Sequence, residues 1–329
     1  MIRLANQKAV SARALLTVYQ QERKPEQAGV VLTFTGVPQQ DVYNPSIPFS
    51  IDGMIVMAAR VEKRRDEVSR TMFFQQSGDQ WDLLPTAPVL DLQDPFVTFI
   101  DGELWLGGVS VLWDGPRCVS YNTHFYHGRS LQALRFAFAG PVMMKDIRLL
   151  QMADGRIAVF SRPQGEVMLK RHGCIARIGL TLADTIGQVD AMLIDQAPLL
   201  DGQFLPGEWG GCNQLYSLKN GLIGVIGHIS WGEQVGNAYI IHYYSMTFAI
   251  DPATRLSTPV KIIAERACYP AGPQKNERTA DVTFTSGIVR LPDGRAELYA
   301  GLSDCQVGKV VIEDPLLVYE EDLLLRSPG

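Results

Sequence analysis

Long apolar runs are missing from the sequence. The stretch from Met1 to Lys8 lacks the uninterrupted apolar core of a secretion signal, and no later segment approaches the ~20 apolar residues of a membrane span. We therefore expect a cytoplasmic protein with no membrane partner. An excess of positive charge is missing too, since 30 Lys and Arg against 35 Asp and Glu leave a net charge of −5. Nucleic acid is therefore not an expected partner.

Cysteine is rare, and the motifs of several enzyme classes are absent. The five cysteines are an odd number without a Cys-x-x-Cys pair, which predicts reduced core thiols rather than disulfides or a zinc site. They are Cys118, Cys174, Cys212, Cys268 and Cys305. His124 and His127 would point to opposite faces of a strand, which disfavours a shared metal. There is no Gly-Lys-Ser/Thr phosphate loop and no Gly-x-Ser-x-Gly elbow.

Helical periodicity is also scarce. It is confined to the segment from Gln7 to Lys24, which Pro25 would end. Most of the remaining chain consists of short stretches rich in Val, Ile, Phe, Tyr and Thr, separated by Gly, Pro, Asp and Asn, a pattern typical of strands and tight turns. With 46% hydrophobic residues the chain can bury a substantial core. The sequence predicts an all-β fold with a short N-terminal helical segment.

An acid or amide followed by glycine recurs between strand-like runs at intervals of about 50 to 70 residues, which suits a four-stranded propeller blade with loop insertions. The five pairs are Asp52-Gly53, Asp101-Gly102, Asp154-Gly155, Asn220-Gly221 and Asp293-Gly294. Such pairs favour hairpins because both central residues of a type I′ turn need positive φ. We therefore predict a single five-bladed β-propeller domain over residues 1–329, with a β-sandwich as the alternative.

Polar residues cluster just before the first strand and at the end of the second strand of these hairpins. In a propeller such positions can converge on the central channel, and carboxylates, amides, cations and an aromatic ring together suit a sugar site. Each residue also has a structural interpretation. Asp94 could cap a turn, His228 could be a core histidine, and Trp209 could fill space beside two glycines. Lys145, Arg148 and Arg162 could be exposed strand residues.

A family resemblance narrows these alternatives. The sequence resembles the mannosyltransferase/phosphorylase family described for protozoan mannogen metabolism and, more faintly, the inverting β-mannoside phosphorylases, which share the five-bladed propeller. The motifs that carry the resemblance are Asp41-Val42-Tyr43-Asn44, Arg60-Val61-Glu62 with Arg64, Glu67 and Ser69, Gln93-Asp94-Pro95-Phe96, Met144 to Leu149, Arg162-Pro163, Trp209 to Asn213, Gly227-His228 and Ser303-Asp304. The sequence departs from the family around Met168 to Arg177, where a more glycine-rich loop is usual.

The resemblance implies reversible phosphorolysis of β-1,2-linked mannosides, giving α-mannose 1-phosphate, and leaves transfer from GDP-mannose open. An inverting hydrolase needs two carboxylates, whereas phosphate needs no activating base. Asp94 is the implied general acid and base. The implied phosphate ligands are Lys145, Arg148, Arg162 and His228. The implied contacts to mannose oligosaccharides are Asn44, Arg60, Glu62, Trp209, Asn213, Asp281 and Asp304.

Inorganic phosphate would be a co-substrate, and neither a metal nor another cofactor is implied. Two alternative functions remain at this stage. One is a β-mannoside hydrolase of the same fold, and the other is a sugar-binding propeller without catalytic activity.

Overall fold

The computed structural model describes residues 3–22 and 28–321, and strands dominate it, which confirms the predicted all-β class. The predicted N-terminal helix is present as α1, Ala12–Glu22, which begins later than the sequence indicated. Its predicted end at Lys24 and Pro25 lies outside the described residues. Within those residues, no helix combines the length and the apolar character needed to cross a membrane.

The strands form five antiparallel units in chain order, after the short strands β1 Val30–Val31 and β2 Thr33–Thr35. The first unit contains β3 Asp41–Tyr43, β4 Phe49–Ile51, β5 Met54–Glu62, β6 Arg70–Ser77 and β7 Gln80–Leu83. The second contains β8 Gln93–Ile100, β9 Glu103–Asp114, β10 Arg117–Gly128 and β11 Arg135–Ala139. The third contains β12 Arg148–Gln151, β13 Ile157–Ser161 and β14 Gly179–Ala183. The fourth contains β15 Trp209–Ser217, β16 Ile223–Val235, β17 Ala238–Ile250 and β18 Lys261–Ala264. The fifth contains β19 Asp281–Arg290, β20 Arg295–Leu302 and β21 Gln306–Glu313.

Short helices lie in the connections between strands and after the last strand. They are α2 Glu166–His172, α3 Ala191–Asp195 and α4 Leu317–Glu321, with 3-10 turns at Ile186–Gln188, Arg266–Cys268 and Glu277–Thr279.

Neighbouring units contact each other in chain order, and the fifth returns to the first. β5 contacts β8, β8 contacts β12, β12 contacts β15, β17 contacts β19, and β21 contacts β3. β1 pairs with β21, and β2 pairs with β7, so the segment after α1 bridges the last unit and the first. This closed ring supports a propeller. The count of five blades and the single domain stay predictions, because the third unit has three strands and a parallel β17–β19 pairing merges the fourth and fifth units into one sheet.

The buried core is divided among the junctions between units. One apolar cluster includes Phe73 of the first unit and Leu104 of the second, and another includes Phe125 of the second and Val159 of the third. The clusters at the remaining junctions include Phe160 with Val225, Ile226 with Leu298, and Trp81 with Val307. Central strands such as β13 are buried on both faces, which explains their nearly continuous apolar runs. Four of the five cysteines are buried in the core, but Cys118 is exposed near a hairpin tip, so its predicted core position is wrong.

All five Asp-Gly or Asn-Gly pairs lie in the turn between two antiparallel strands of a unit, as predicted. Both residues have positive φ only at Asp52-Gly53 and Asp101-Gly102. In the other three turns the glycine alone does, so the type I′ prediction is wrong there. The reason is loop length. A longer connection, such as the one from Gln151 to Ile157, needs a left-handed residue only where it closes.

Candidate active site

Left-handed residues mark one end of the ring, where the first strands of the units begin and the second strands end. Asn44, Asp94, Asp146 and Asp304 have φ of 42°, 50°, 58° and 56°. Asn and Asp tolerate this conformation better than other non-glycine residues, yet it is strained and tends to gather at functional sites. At Asp94 a register shift between Gln93 and Phe96 interrupts the β8–β9 ladder. We call this end of the ring the site face.

Asp94 is held on one of its two oxygens. Asn44 Nδ2 donates to Asp94 Oδ1 at 2.9 Å, and Arg60 Nη1 approaches the same oxygen at 3.3 Å. The Asp94 side chain is 8% exposed. No hydrogen bond from residues 3–22 or 28–321 reaches Oδ2. Asp94 is therefore a buried carboxylate that is fixed in position through one oxygen, while its other oxygen has no partner among the described residues.

Glu62 organises the cations beside Asp94. Its Oε2 accepts from Arg60 Nε at 3.1 Å and Arg60 Nη2 at 2.9 Å, while its Oε1 accepts from the Tyr43 hydroxyl at 2.6 Å and from Lys275 Nζ. Lys275 also pairs with Glu67 at 2.8 Å. Both Glu62 oxygens are therefore engaged with the protein, and Glu62 is placed to aim the Arg60 guanidinium at Asp94.

The basic cluster, defined as Lys145, Arg148, Arg162 and His228, lies across β12, β13 and β16. Arg162 pairs with Asp146 at 3.1 Å and donates through Nε to the Gly210 carbonyl at 2.9 Å. Burial acts to raise the pKa of Asp146, but the surrounding positive charges, of which Arg162 is the strongest, together outweigh it and lower that pKa to about 2. Asp146 is therefore the charged counterion of this cluster, buried within it.

His228 is buried with one ring nitrogen unpartnered. Its Nδ1 is 2.7 Å from Asn213 Oδ1, so Nδ1 carries the proton and Nε2 is an acceptor. No described residue partners the buried Nε2. Burial lowers the pKa of His228 to about 3, and the imidazole is neutral near pH 7. An alanine Cβ at Gly211 would lie 3.0 Å from both Arg162 and His228, so glycine is what lets these two side chains approach.

Arg148 links the basic cluster to Asp94. Its guanidinium lies 3.8 Å above the Phe96 ring, donates to the Asn213 carbonyl at 2.6 Å, and interacts electrostatically with Asp94. Burial lowers the pKa of Arg148 to about 10, so it stays charged near pH 7. Lys145 is half-buried. Among the described residues it has no hydrogen-bond or ion-pair partner, which leaves its ammonium group available to an anion.

Two predicted sugar contacts lie further out. Trp209 Nε1 donates to the Tyr243 hydroxyl at 2.9 Å, and Tyr243 stacks on the His228 ring at 5.3 Å, so Trp209 borders the basic cluster indirectly. Asp281 accepts from His242 Nδ1 at 2.6 Å and from the Tyr244 hydroxyl at 3.1 Å. Within the described residues its side-chain hydrogen bonds reach no other predicted site residue.

A comparison with family models identifies the chain. The model described as "Protein of unknown function (DUF1861)" matches residues 18–317. The chain belongs to the DUF1861 family. Two solved structures are similar to this chain in both sequence and fold. A mannose phosphorylase from Leishmania mexicana in complex with phosphate, MPT-4, is 36% identical over 93% of this chain and 94% of its own, with a TM-score of 0.86. MPT-1, a GDP-Man-dependent mannosyltransferase from the same organism, is 34% identical over 93% and 96%, with a TM-score of 0.85.

A more distant likeness shows the fold alone. The β-1,2-mannobiose phosphorylase from Listeria innocua is 13% identical over 92% of this chain and 95% of its own, with a TM-score of 0.56. A search of curated protein sequences found no match to this chain. The resemblance to the mannosyltransferase/phosphorylase family is confirmed, and the chain is placed among carbohydrate-active enzymes.

Sequence reasoning did not single out four residues that this DUF1861 site brings together, namely Tyr43, Glu67, Asp146 and Lys275. Tyr43, Glu67 and Asp146 lie in motifs that carried the resemblance, but their side chains contact other protein groups. Lys275 comes from a loop rich in Gly and Pro between the fourth and fifth units, far in sequence from Glu62. Only the fold brings that loop to the site face. No group of His, Cys, Asp and Glu in the described ranges could hold a metal ion.

Ionisation of the buried Asp304 carboxyl should destabilise the folded protein, and this effect can be tested. Burial raises the pKa of its carboxyl to about 6, with Arg60 opposing this shift and Asp94 adding to it. The folded state therefore binds this proton more tightly than the unfolded chain, and wild-type stability falls as the pH rises from about 4 to about 6. We expect Asp304→Asn to unfold like wild type at pH 4 and to be more stable by about 1–2 kcal/mol at pH 7.

Urea unfolding of both proteins at several pH values measures this difference. Asp79→Asn, at an exposed turn, is the matched control and should show no such trend. A constant difference between wild type and Asp304→Asn across this pH range would contradict the electrostatic account.

Proposed function

We propose that the protein is an inverting β-1,2-mannoside phosphorylase with Asp94 as its general acid and base. The observation that carries this proposal is the pairing of two neighbouring features. One is a single fixed carboxylate with an available oxygen, and the other is a basic cluster in which Lys145 and the buried His228 Nε2 have no described partner. Arg148 connects the two features.

In the proposed reaction a phosphate oxygen attacks the anomeric carbon from the face opposite the glycosidic oxygen. The C–O glycosidic bond breaks, and Asp94 supplies the proton that the leaving oxygen needs, directly or through a sugar hydroxyl. The products are α-mannose 1-phosphate and a mannoside shortened by one unit. In synthesis the Asp94 carboxylate takes a proton from the acceptor hydroxyl as phosphate leaves. Hydrogen phosphate enters with one proton and α-mannose 1-phosphate leaves as a dianion, so this proton returns Asp94 to its acid form. In synthesis the proton that Asp94 has taken passes to the departing phosphate, and the proposed reaction uses no metal or organic cofactor.

The basic cluster supplies complementary contacts to phosphate. Lys145 offers an ammonium group that no described residue hydrogen-bonds or ion-pairs, while Arg148 and Arg162 add donors that other protein groups already orient. The neutral His228 accepts at Nε2, which suits a P–OH of hydrogen phosphate. Asp146 balances part of the positive charge, so phosphate can bind and also leave. Phosphate in the MPT-4 structure supports the assignment of an anion to this family.

We assign the sugar to the space between these groups and Asp94. Asn44, Arg60 and Asp304 would contact mannose hydroxyls beside Asp94, and Asn213 would do so beside His228. Glu62 acts through Arg60, since its own oxygens are occupied. Trp209 and Asp281 would form the outer border of the site. A hydrolase would have no use for a basic cluster where phosphate would lie, which disfavours that alternative.

A second candidate is transfer from GDP-mannose, because MPT-1 is nearly as similar to this chain as MPT-4. The same basic cluster would then hold the departing diphosphate. Incubation with mannose 1-phosphate or GDP-mannose, each with a panel of mannoside acceptors, separates the two donors.

The decisive experiment is incubation with β-1,2-mannobiose in the presence and absence of phosphate. We expect α-mannose 1-phosphate, seen by phosphorus NMR, only in the tube with phosphate. Equal cleavage in both tubes would contradict phosphorolysis and indicate a hydrolase. No turnover of any donor or mannoside, combined with tight mannoside binding, would indicate a sugar-binding protein.

A further inference from the structure

A cleft separate from the Asp94 site opens on the site face next to it. It has a volume of about 350 Å³ and lies between the loop before β6 and the hairpin of β9 and β10. Six of the residues that line it are Ser69, Arg70, Asp91, Gln93, Val111 and Trp113. This volume is within the range of about 300–1,000 Å³ that is typical of small-molecule sites.

The hairpin forms a projecting wall of this cleft. β8 begins at Gln93, which pairs with Val109, so the part of β9 beyond Val109 pairs with β10 alone. Val109, Val111 and Trp113 alternate along β9 and share one face, which lines the cleft. The wall is therefore an apolar stripe ending in an aromatic ring.

The opposite side of the cleft is polar. Arg70 and Asp91 are exposed and 3.5 Å apart, an approach loose enough for each to bind other groups. Ser69, which also lines the cleft, precedes Arg70 in the chain. An aromatic ring facing a few polar groups that can bind hydroxyls is the composition of a carbohydrate site. Among the described residues that line the cleft, Arg70 alone is basic, which is too little positive charge for a phosphate site.

Gln93 joins this cleft to Asp94. It lines the cleft, precedes Asp94 in the chain, and donates through Nε2 to the Glu67 carbonyl at 3.1 Å. The Glu67 carboxylate in turn reaches Lys275 and Arg60 beside Asp94. The cleft and the Asp94 site thus share one rim, and a chain that leaves Asp94 across Gln93 would enter the cleft.

Resting on the function proposed above, we propose that this cleft binds a mannose unit of the oligosaccharide beyond the two units that flank the cleaved bond. A disaccharide would occupy only the Asp94 site. A trisaccharide or tetrasaccharide would place a further ring against Trp113, with its hydroxyls toward Arg70 and Asp91. Trp113 would then determine the preferred chain length without taking part in the chemistry.

The test compares binding of β-1,2-linked mannobiose, mannotriose and mannotetraose by calorimetry, without phosphate. We expect Trp113→Ala to weaken mannotetraose binding about tenfold and mannobiose binding less than twofold. Trp113→Phe, which keeps a ring, should retain most of the affinity. Leu112→Ala is the matched control, because Leu112 is the adjacent residue on the other face of β9 and is 61% exposed.

The outcomes distinguish this inference from the proposed function. Equal weakening of all three ligands by Trp113→Ala, or no weakening of any, would overturn the cleft assignment. So would wild-type affinity that does not increase with chain length. Length-dependent loss of binding in a protein that shows no phosphate-dependent turnover would leave the cleft assignment standing while the proposed function fails.

Discussion

Asp94→Asn is expected to lower the rate of both phosphorolysis and synthesis by roughly 10³-fold, within the range of about 10²–10⁴ for losing a general acid or base. Asparagine has the size of aspartate and tolerates the φ of 50° found at this position. Its amide oxygen can still accept from Asn44 and Arg60. What it cannot do is donate and recover a proton, so the loss should appear in kcat rather than in mannoside affinity.

Asp52→Asn is the control for this substitution, because Asp52 has a φ of 52° but lies in an exposed turn. It should keep full activity. Rates are measured in both directions, with mannobiose plus phosphate and with mannose 1-phosphate plus mannose, while calorimetry follows mannobiose binding. If Asp94→Asn retained more than about a tenth of the wild-type rate in either direction, another group would have to supply the proton.

The local signals for the fold were strong in the sequence, whereas the closure of the ring was not. Each Asp-Gly or Asn-Gly pair depends only on its own backbone and the flanking strands, so all five hairpins could be predicted. The contact between β21 and β3 and the pairing of β1 with β21 join the two ends of the chain. No local pattern encodes such pairings, since they follow from burying both faces of every sheet.

The functional site, like the fold, could be predicted only in part from the sequence. Asp94 and the basic cluster could be proposed from position and family resemblance, because they lie at equivalent points of repeated hairpins. Whether a polar side chain faces a ligand or another protein group depends on partners far away in sequence. Glu62 was predicted to contact sugar, yet Lys275, more than 200 residues later, occupies one of its oxygens. Asp146 was not assigned a role, and only the fold shows that it pairs with Arg162 within the basic cluster.

The second large predicted effect is on phosphate binding by the basic cluster. Lys145→Ala is expected to raise the KM for phosphate by roughly 10–100-fold, since a hydrogen bond to a charged group contributes about 1.5–3 kcal/mol and about 1.4 kcal/mol corresponds to a factor of ten. Lys145 has no partner among the described residues, so its removal leaves no buried carboxylate unpaired. The free energy of unfolding should therefore change by less than about 0.5 kcal/mol. Arg162 differs in this respect, because its loss would leave the buried Asp146 without its ion pair.

Initial rates at varied phosphate and fixed mannobiose measure this effect, and Lys170→Ala is the control because Lys170 lies on exposed α2 and pairs only with Glu166 among the described residues. The KM for mannose 1-phosphate should rise in parallel, since both ligands present a phosphoryl group to the same cluster. The KM for mannobiose should change little. An unchanged phosphate KM in Lys145→Ala would contradict the assignment of Lys145 as a phosphate ligand. A rise confined to the KM for mannobiose would instead indicate that Lys145 contacts the sugar. Arg148, Arg162 and His228 would then be the remaining phosphate ligands.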